Sequence, residues 1–299
     1  MSKQYLTKAR AFLIAVAWTT LHASASSAAE RYWPPTADAP TNAVLAGKWV
    51  WADLVTLDVA RAAEFYGRLF GWTYETYGPD DDEQTYTLIL ANKVPIGGMV
   101  FSERQAESSR PRARWIGLIS VPDVDAAARS ASSNGGKVLV APMDAKPRGR
   151  MALLADPEGA AFAVLRSSTG DSEDYRIELG EWLWFELWAD DADSMAAFYK
   201  TLAGYEIAGS TAGEQGGAFH LKANGINRAG VLPKPTKAPS AWIPYVRVAD
   251  VAKTVAEARK AGGRIVIEPM KARGTTVALL VDPTGAPLAI AEWPPEGSK

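Results

Sequence analysis

The 299-residue chain contains no cysteine and only 2 histidines. Without cysteine there is no disulfide, no thiolate nucleophile, no iron–sulfur cluster and no cysteine-based zinc site. The chain also lacks an excess of positive charge, with 32 Lys and Arg against 34 Asp and Glu and a formal net charge of −2. Nucleic-acid-binding domains normally have a basic excess, so the composition argues against nucleic acid as a partner. Because 47% of the residues are hydrophobic, we expect a packed globular protein.

The first 29 residues have the pattern of a secretory signal peptide, although a free amphipathic helix is an alternative. Lys3, Lys8 and Arg10 precede a short apolar run, and small residues at 23–25 and 27–29 suit signal peptidase. The apolar run is too short to remain as a membrane anchor. We therefore expect a periplasmic or secreted protein whose mature chain begins with an extension over residues 30–46. Loss of the three basic residues would change the net charge from −2 to −5 and leave His220 as the only histidine.

The remaining chain is an internal repeat. Residues 135–143 match residues 262–270, and residues 152–160 match residues 278–286, with offsets of 127 and 126 residues. The Phe-Tyr pair at 65–66 also recurs at 198–199 and is expected to pack in the core. These matches predict two domains, over residues 47–167 and 180–295. The small polar residues at 167–173 predict a flexible connection, and the linker between the domains is expected over residues 168–179.

Each half divides again into two similar units. In the first half, strand-like runs at 49–57, 85–90 and 97–101 accompany a helical pattern at 59–69, and the same order restarts at residue 115. The second half repeats this order. We therefore predict an α+β fold of four βαβββ modules, with curved mixed sheets and helices on one face.

The strip of residues 55–72, its copy at 191–204 and the two Asp-Pro-x-Gly turns at 156–159 and 282–285 resemble the vicinal oxygen chelate superfamily. This superfamily includes glyoxalase I, the bleomycin and fosfomycin resistance proteins and the extradiol dioxygenases. The resemblance covers both halves and implies two glyoxalase/bleomycin-resistance-like domains. It does not by itself assign an activity, because one fold carries many functions.

The resemblance also implies a divalent metal, held by His, Gln or Glu on the first strand of a module and by Glu on its last strand. The residues at these positions are hydrophobic here: Trp51, Ile116, Ala163, Trp184, Ile243 and Ala289. None of them can donate a lone pair to a metal ion. We therefore predict that the family site holds no metal and that the protein uses no cofactor.

Tryptophan and carboxylate side chains stand where the ligands would be. Side chains alternate along a strand, and the resemblance places the metal-ligand positions on the concave face of each sheet. This predicts two groups of residues that face the two cavities: Trp49, Trp51 and Asp53 in the first half, and Trp182, Trp184, Glu186 and Trp188 in the second. Indole rings stack on aromatic or sugar-like ligands, or they simply fill the core of a curved sheet.

Asp53 and Glu186 are the candidate catalytic residues. A carboxylate among indole rings loses hydration, which favours its protonated form and suits a general acid or base. The alternative is a structural role, in which each carboxylate accepts backbone N–H groups or pairs with an arginine. Arg247 is placed to pair with Glu186, whereas the equivalent residue near Asp53 is Ser120. The basic residues within 146–150 predict a solvated turn.

Two functions remain open from the sequence. The first is a small-molecule binding protein without a metal, which holds an apolar or aromatic ligand in Trp-lined cavities with contributions from Arg247 and His220. The second is a metal-independent lyase or isomerase that uses Asp53 or Glu186 as its general base. Either protein would be a monomer or a homodimer, since the fused halves already form a pseudo-dimer.

Overall fold

The computed structural model describes residues 32–37, 40–78, 85–102, 113–209, 217–235, 238–272 and 274–293. The predicted signal peptide lies outside these ranges. The elements of the first half are β1 (Trp49–Thr56), α1 (Val59–Phe70), β2 (Thr73–Tyr77), β3 (Tyr86–Ala91), β4 (Val94–Phe101), β5 (Arg114–Ser120), α2 (Val124–Ser133), β6 (Lys137–Ala145), β7 (Gly149–Ala155) and β8 (Ala161–Ser167).

The second half repeats these ten elements in the same order. They are β9 (Trp182–Ala189), α3 (Ala192–Ala203), β10 (Glu206–Gly209), β11 (Phe219–Ala223), β12 (Ile226–Pro233), β13 (Ala241–Arg247), α4 (Val251–Lys260), β14 (Arg264–Ala272), β15 (Thr275–Val281) and β16 (Pro287–Ala291). No helix in the described part of the chain has the length and hydropathy needed to cross a bilayer.

Each half forms one eight-stranded mixed sheet. The strand order is β2-β3-β4-β1-β5-β8-β7-β6 in the first half and β10-β11-β12-β9-β13-β16-β15-β14 in the second. Within a half, the two modules meet through an antiparallel pair, β1 with β5 or β9 with β13. The flanking pairs β1/β4, β5/β8, β9/β12 and β13/β16 are parallel. The predicted α+β fold of βαβββ modules is confirmed.

An aspartate begins each of these four helices. The Asp58 carboxylate accepts the backbone N–H of Arg61 at 2.9 Å, and Asp123, Asp191 and Asp250 make the same bond to the residue three positions on. Such bonds satisfy amide groups that a helix N-terminus otherwise leaves unpaired. Helix α1 ends at Gly71, whose φ of +71° lies in the left-handed region that favours glycine. The aspartate cap recurs in all four modules, and the glycine cap recurs in α3 at Gly204.

Strands β2 and β10 were not predicted. Both lie at an edge of their sheet, and both are short, with 5 and 4 residues. In β2, Tyr74 and Tyr77 are half-buried and the other three residues are exposed. The strand therefore lacks a clear alternation of hydrophobic and polar residues. An edge strand pairs on one side only, here with β3 or β11. These two strands form through that pairing although their own sequences lack a strand pattern.

The two halves share one hydrophobic core and are joined by reciprocal hydrogen bonds. The Tyr66 hydroxyl donates to Asp282 at 2.9 Å, and its counterpart Tyr199 donates to Asp156 at 3.1 Å. Both tyrosines are fully buried, as the prediction for the Phe-Tyr pairs requires. Each aspartate belongs to an Asp-Pro-x-Gly turn of the opposite half. The repeated motifs therefore also make the contact between the halves.

Burial of Asp156 predicts a pH-dependent stability. Loss of hydration raises the pKa of its carboxyl group to about 6, despite the hydrogen bonds that it accepts. The folded state thus holds the proton more tightly than the unfolded state, so stability should fall as pH rises from about 4 to about 6. We expect a loss on the order of 2 kcal/mol in the free energy of unfolding. Urea unfolding of Asp156→Asn across this range should show a flatter profile than the wild type, and an identical profile would contradict the prediction.

The segment between the halves is anchored by hydrogen bonds to the extension before β1 and to β5. Asp171 is buried and accepts hydrogen bonds from the Ser120 hydroxyl at 2.5 Å and from the Leu45 backbone at 2.6 Å. The Lys48 ammonium donates to the carbonyl oxygen of Ser172 at 2.6 Å. The extension before β1 therefore packs against the segment before β9, and both segments reach the concave faces of the sheets.

Candidate functional site: two unequal hollows

The concave face of the first sheet, which we call the first hollow, is filled by the protein's own side chains. Its centre is Asp53, which is 5% exposed and forms an ion pair with Arg148 at 2.9 Å. The other oxygen of Asp53 accepts hydrogen bonds from the Trp51 indole at 2.9 Å and the Tyr86 hydroxyl at 2.5 Å. Both carboxylate oxygens are thus occupied by donors from the chain.

Arg148 is the residue that closes the first hollow. Its side chain is 0% exposed, and it also donates to the Tyr86 hydroxyl at 2.7 Å and to the Pro34 carbonyl at 3.0 Å. The guanidinium carbon lies 5.2 Å, 5.0 Å and 5.1 Å from the ring centroids of Trp33, Trp51 and Tyr86, which is cation–π geometry. The expectation of a solvated turn at residues 146–150 was therefore wrong for Arg148.

The charges in the first hollow favour a fixed ion pair. Burial raises the pKa of the Tyr86 hydroxyl well above its ordinary value, so this group stays protonated and donates to Asp53. Burial by itself lowers the pKa of Arg148, but the adjacent oxygens of Tyr86 and Asp53 outweigh it and raise this pKa. The geometry thus matches the structural alternative for Asp53, with Arg148 as the arginine partner.

The concave face of the second sheet, which we call the second hollow, is an open cavity of about 1300 Å³. Its lining is mainly aromatic and aliphatic, and includes Trp184, Trp188, Tyr245, Leu232, Ile267 and Trp293. Polar side chains of Glu186, His220 and Arg247 also line it. The combination of apolar walls with a few polar groups is typical of small-molecule sites.

Glu186 occupies the place of Asp53 but has different surroundings. One of its oxygens accepts hydrogen bonds from the Trp188 indole at 3.1 Å and from the Tyr245 hydroxyl at 2.8 Å. No arginine or lysine nitrogen in the described ranges lies within 4.0 Å of it, so the predicted pairing with Arg247 was wrong. Arg247 instead donates to the backbone carbonyls of Ile177 and Trp293.

Among the described residues, the two hollows differ most clearly at the position of Tyr86. Tyr86 on β3 corresponds to Ala218, which precedes β11, so a phenol ring is replaced by a methyl group. Strands β6 and β7 are joined through the pair Ala145 and Gly149, whereas β14 and β15 are joined through Ala272 and Thr275. The second hairpin loop is one residue shorter. Its Arg273-Gly274 pair matches Arg148-Gly149 in sequence, and Arg273 lies outside the described residues.

Trp49 and Trp182 do not face the hollows, contrary to the strict alternation that we expected. Trp49 packs on Phe185 and Trp242 of the other half, with ring centroids 4.5 Å and 4.4 Å apart. Trp182 packs on Trp115 at 5.0 Å and donates to a backbone carbonyl in β4. Pairing is irregular next to each residue, since the register shifts between Trp49 and Trp51 and opposite Trp182. Such a bulge moves a side chain to the other face of its sheet.

Trp184, Trp188 and His220 lie in the second hollow, as predicted for this half. The His220 ring meets the Trp184 ring edge-on, with centroids 6.0 Å apart. Trp51, the counterpart of Trp184, has its indole N–H bonded to Asp53 and Tyr86. The Trp184 ring instead borders open space in the hollow. One half therefore presents an indole that a ligand can reach, while the other half does not.

The residues at the expected metal positions do not fit a metal ion. Trp51, Ile116 and Ala163 pack together in the first hollow, and Ile243 and Ala289 pack together in the second. These side chains have no oxygen or imidazole nitrogen to offer a cation. Within the described ranges, no group of three His, Cys, Asp or Glu residues is arranged to hold a metal.

Comparison with known proteins supports a common family for both halves. Residues 48–164 match the Glyoxalase/Bleomycin resistance protein/Dioxygenase superfamily, and residues 183–291 match a Glyoxalase-like domain. The chain is 29% identical to the putative glyoxylase CFP32 of Mycobacterium tuberculosis, over 82% of this chain and 95% of that protein. It is 30% identical to the anthracycline biosynthesis protein DauV of a Streptomyces species, over 82% of this chain and 93% of that protein.

Solved structures share the arrangement of the two halves. A Mn(II)-bound glyoxalase from Novosphingobium aromaticivorans superimposes with a TM-score of 0.56 at 17% identity, over 84% of this chain and 82% of that one. The 2,3-dioxygenase LapB from a Pseudomonas species gives 0.56 at 11% identity, over 86% and 96%. At these identities the likeness concerns the fold alone. With the profile matches and the curated relatives, the chain belongs to the glyoxalase/bleomycin resistance protein/dioxygenase superfamily and carries one such domain in each half.

Proposed function

We propose that this protein binds a small aromatic or apolar molecule in the second hollow, without a metal ion. One observation carries the proposal: the second hollow is open and lined by Trp184, Trp188 and Tyr245, while the first is occupied by Arg148 and its partners. Large aromatic side chains that border open space offer stacking surfaces at little cost in conformational freedom. The first domain would then serve as a rigid support.

The size and rim of the second hollow favour a ligand with several rings. A cavity of about 1300 Å³ exceeds what a single-ring compound would fill. Its lining includes three strongly exposed hydrophobic side chains, those of Tyr175, Met270 and Trp293. Exposed apolar groups gathered around a cavity commonly mark a binding site. The relationship to a protein named for anthracycline biosynthesis agrees with a fused-ring aromatic ligand.

We also propose that the protein is exported. The support is the pattern of residues 1–29, with its basic start, short apolar run and small residues at the cleavage positions. The absence of cysteine is compatible with an oxidising compartment, since no thiol is present to be oxidised. The mature protein would act in the periplasm or outside the cell.

A titration with 2-naphthylacetamide tests the binding function. The neutral naphthyl group should quench tryptophan fluorescence saturably, with one molecule bound per chain. Treatment with EDTA followed by gel filtration should leave the affinity unchanged, since no side chain at the family site can hold a metal. Loss of binding after EDTA and its recovery with Mn²⁺ would contradict the metal-free proposal, and failure to saturate would contradict the binding site.

Catalysis by Glu186 is the second candidate, because its carboxylate lines the open hollow whereas Asp53 is locked by Arg148. Its reaction would be proton abstraction beside a carbonyl group. Exchange of the α-protons of 2-naphthylacetone in D₂O, followed by NMR, separates the two functions. Binding alone predicts exchange at the buffer rate. Faster exchange that Glu186→Gln abolishes, while 2-naphthylacetamide still binds, would establish the enzyme instead.

A further inference from the structure

The second hollow contains a buried arginine that forms no ion pair among the described residues, even with the buried carboxylate of its strand neighbour Glu181. Arg247, at the end of β13, is 9% exposed and lines the hollow. Its two terminal nitrogens donate to the carbonyl oxygens of Ile177 and Trp293, and its Nε has no hydrogen-bond partner among the described residues. Within those residues, no carboxylate oxygen lies within 4.0 Å of the guanidinium group.

Two other arginines in the described ranges, whose side chains are buried, are paired. Arg148 forms its ion pair with Asp53 at 2.9 Å, and Arg228 holds Asp174 through two parallel hydrogen bonds of 2.5 Å and 2.8 Å. An unpaired charge in a poorly hydrated place is costly, and carbonyl dipoles offset only part of that cost. Among the described residues Arg247 is thus the exception, and an anionic ligand in the hollow would supply the missing counter-ion.

A second unsatisfied polar group lies near the same end of the hollow. The Thr275 hydroxyl, on a residue that is 8% exposed, has no hydrogen-bond partner in the described part of the chain. Arg247 on β13 pairs with Ala291 on β16, and Ala291 pairs with Val277 on β15. Thr275 lies two residues before Val277 on β15. Thr275 also lines the hollow. A hydroxyl and a guanidinium group together suit an anionic oxygen ligand.

We propose that the ligand of the second hollow is an aromatic carboxylic acid whose carboxylate binds at Arg247. This inference rests on the proposed binding function and adds the charge and orientation of the ligand. Glu186 pairs with Ile243, four residues before Arg247, which places the two charges on the order of 13 Å apart along the strand. The carboxylate is attracted to Arg247, and Trp184 lies on the strand beside it. The ring system therefore lies towards Trp184 and Trp188.

The test compares 2-naphthylacetate with 2-naphthylacetamide, which have nearly the same shape and differ in charge. The wild-type protein should bind the acid at least about tenfold more tightly than the amide, as a charge-assisted hydrogen bond implies. Arg247→Gln should remove this preference and leave the affinity for the amide within about twofold. Arg247→Lys should retain part of the preference, because it keeps the charge but loses the planar donor pair.

Two further variants locate the effect. Arg176 is exposed and lines the rim of the same hollow, so Arg176→Gln should leave the preference unchanged. Thr275→Val should weaken binding of the acid by a few-fold, and it tests the site even if Arg247→Gln does not fold, as judged by near-UV circular dichroism. Equal affinity of the wild type for acid and amide, or a preference lost in Arg176→Gln and kept in Arg247→Gln, would overturn the inference. Failure of both compounds to bind would instead overturn the proposed function.

Discussion

Replacement of Arg148 by methionine is expected to lower the free energy of unfolding by about 3–5 kcal/mol. The substitution leaves the Asp53 carboxylate buried without its cation, and it removes donors from the Tyr86 hydroxyl and the Pro34 carbonyl. The stacking of Trp33 and Trp51 on the guanidinium group is lost as well. Urea unfolding at neutral pH, followed by tryptophan fluorescence, measures the effect.

Two controls show whether the loss comes from the buried charge. In the double variant Arg148→Met with Asp53→Leu, both charges are absent, so much of the lost stability should return. The surface pair of Arg259 and Glu268 is the matched exposed case, and Arg259→Met should change stability by no more than about 0.5 kcal/mol. If Arg148→Met costs less than about 1 kcal/mol, then Arg148 is not the residue that holds the first hollow closed.

Replacement of Trp184 by alanine is expected to weaken binding of 2-naphthylacetamide by about 100-fold, as removal of a central aromatic anchor commonly does. Trp184 lines the open second hollow, so the substitution removes a stacking surface rather than a core contact. We expect the free energy of unfolding to change much less than the affinity. Calorimetric titration and urea unfolding of the same preparation measure the two quantities.

Trp51 provides the matched control, because it is the counterpart of Trp184 in the first half. Its side chain is 1% exposed and packed against Tyr86 and Leu118 in the filled hollow. Trp51→Ala should therefore cost about 3–5 kcal/mol of stability and leave the affinity of the folded protein unchanged. Equal effects of the two substitutions on binding would show that the hollows are equivalent in function, contrary to our account.

The sequence was sufficient to predict the architecture because the repeated elements are locally encoded. Each helix begins at an aspartate that accepts a backbone N–H, and the Phe-Tyr pair of α1 lies about two helical turns further on, on the buried face. Because the module occurs four times, an element that is ambiguous in one copy can be assigned from the other copies. These features depend on residues close in sequence, so they can be predicted without knowledge of the tertiary contacts.

The difference between the hollows could not be predicted, because it depends on contacts between distant residues. Arg148 reaches Asp53 across 95 positions of sequence, and nothing near Arg148 distinguishes it from a basic turn residue. The predicted orientations of Trp49 and Trp182 were wrong for another reason. One irregular pairing in a strand moves the next side chain to the opposite face of the sheet. The loss of a tyrosine at Ala218 became informative only once Tyr86 was seen beside Asp53.

The most direct test of the account is a crystal structure of the protein with 2-naphthylacetate bound. We predict one molecule per chain in the second hollow, with its rings against Trp184 and its carboxylate at Arg247, and an unchanged ion pair between Arg148 and Asp53 in the first hollow. A ligand bound in the first hollow, with Arg148 displaced from Asp53, would contradict the account.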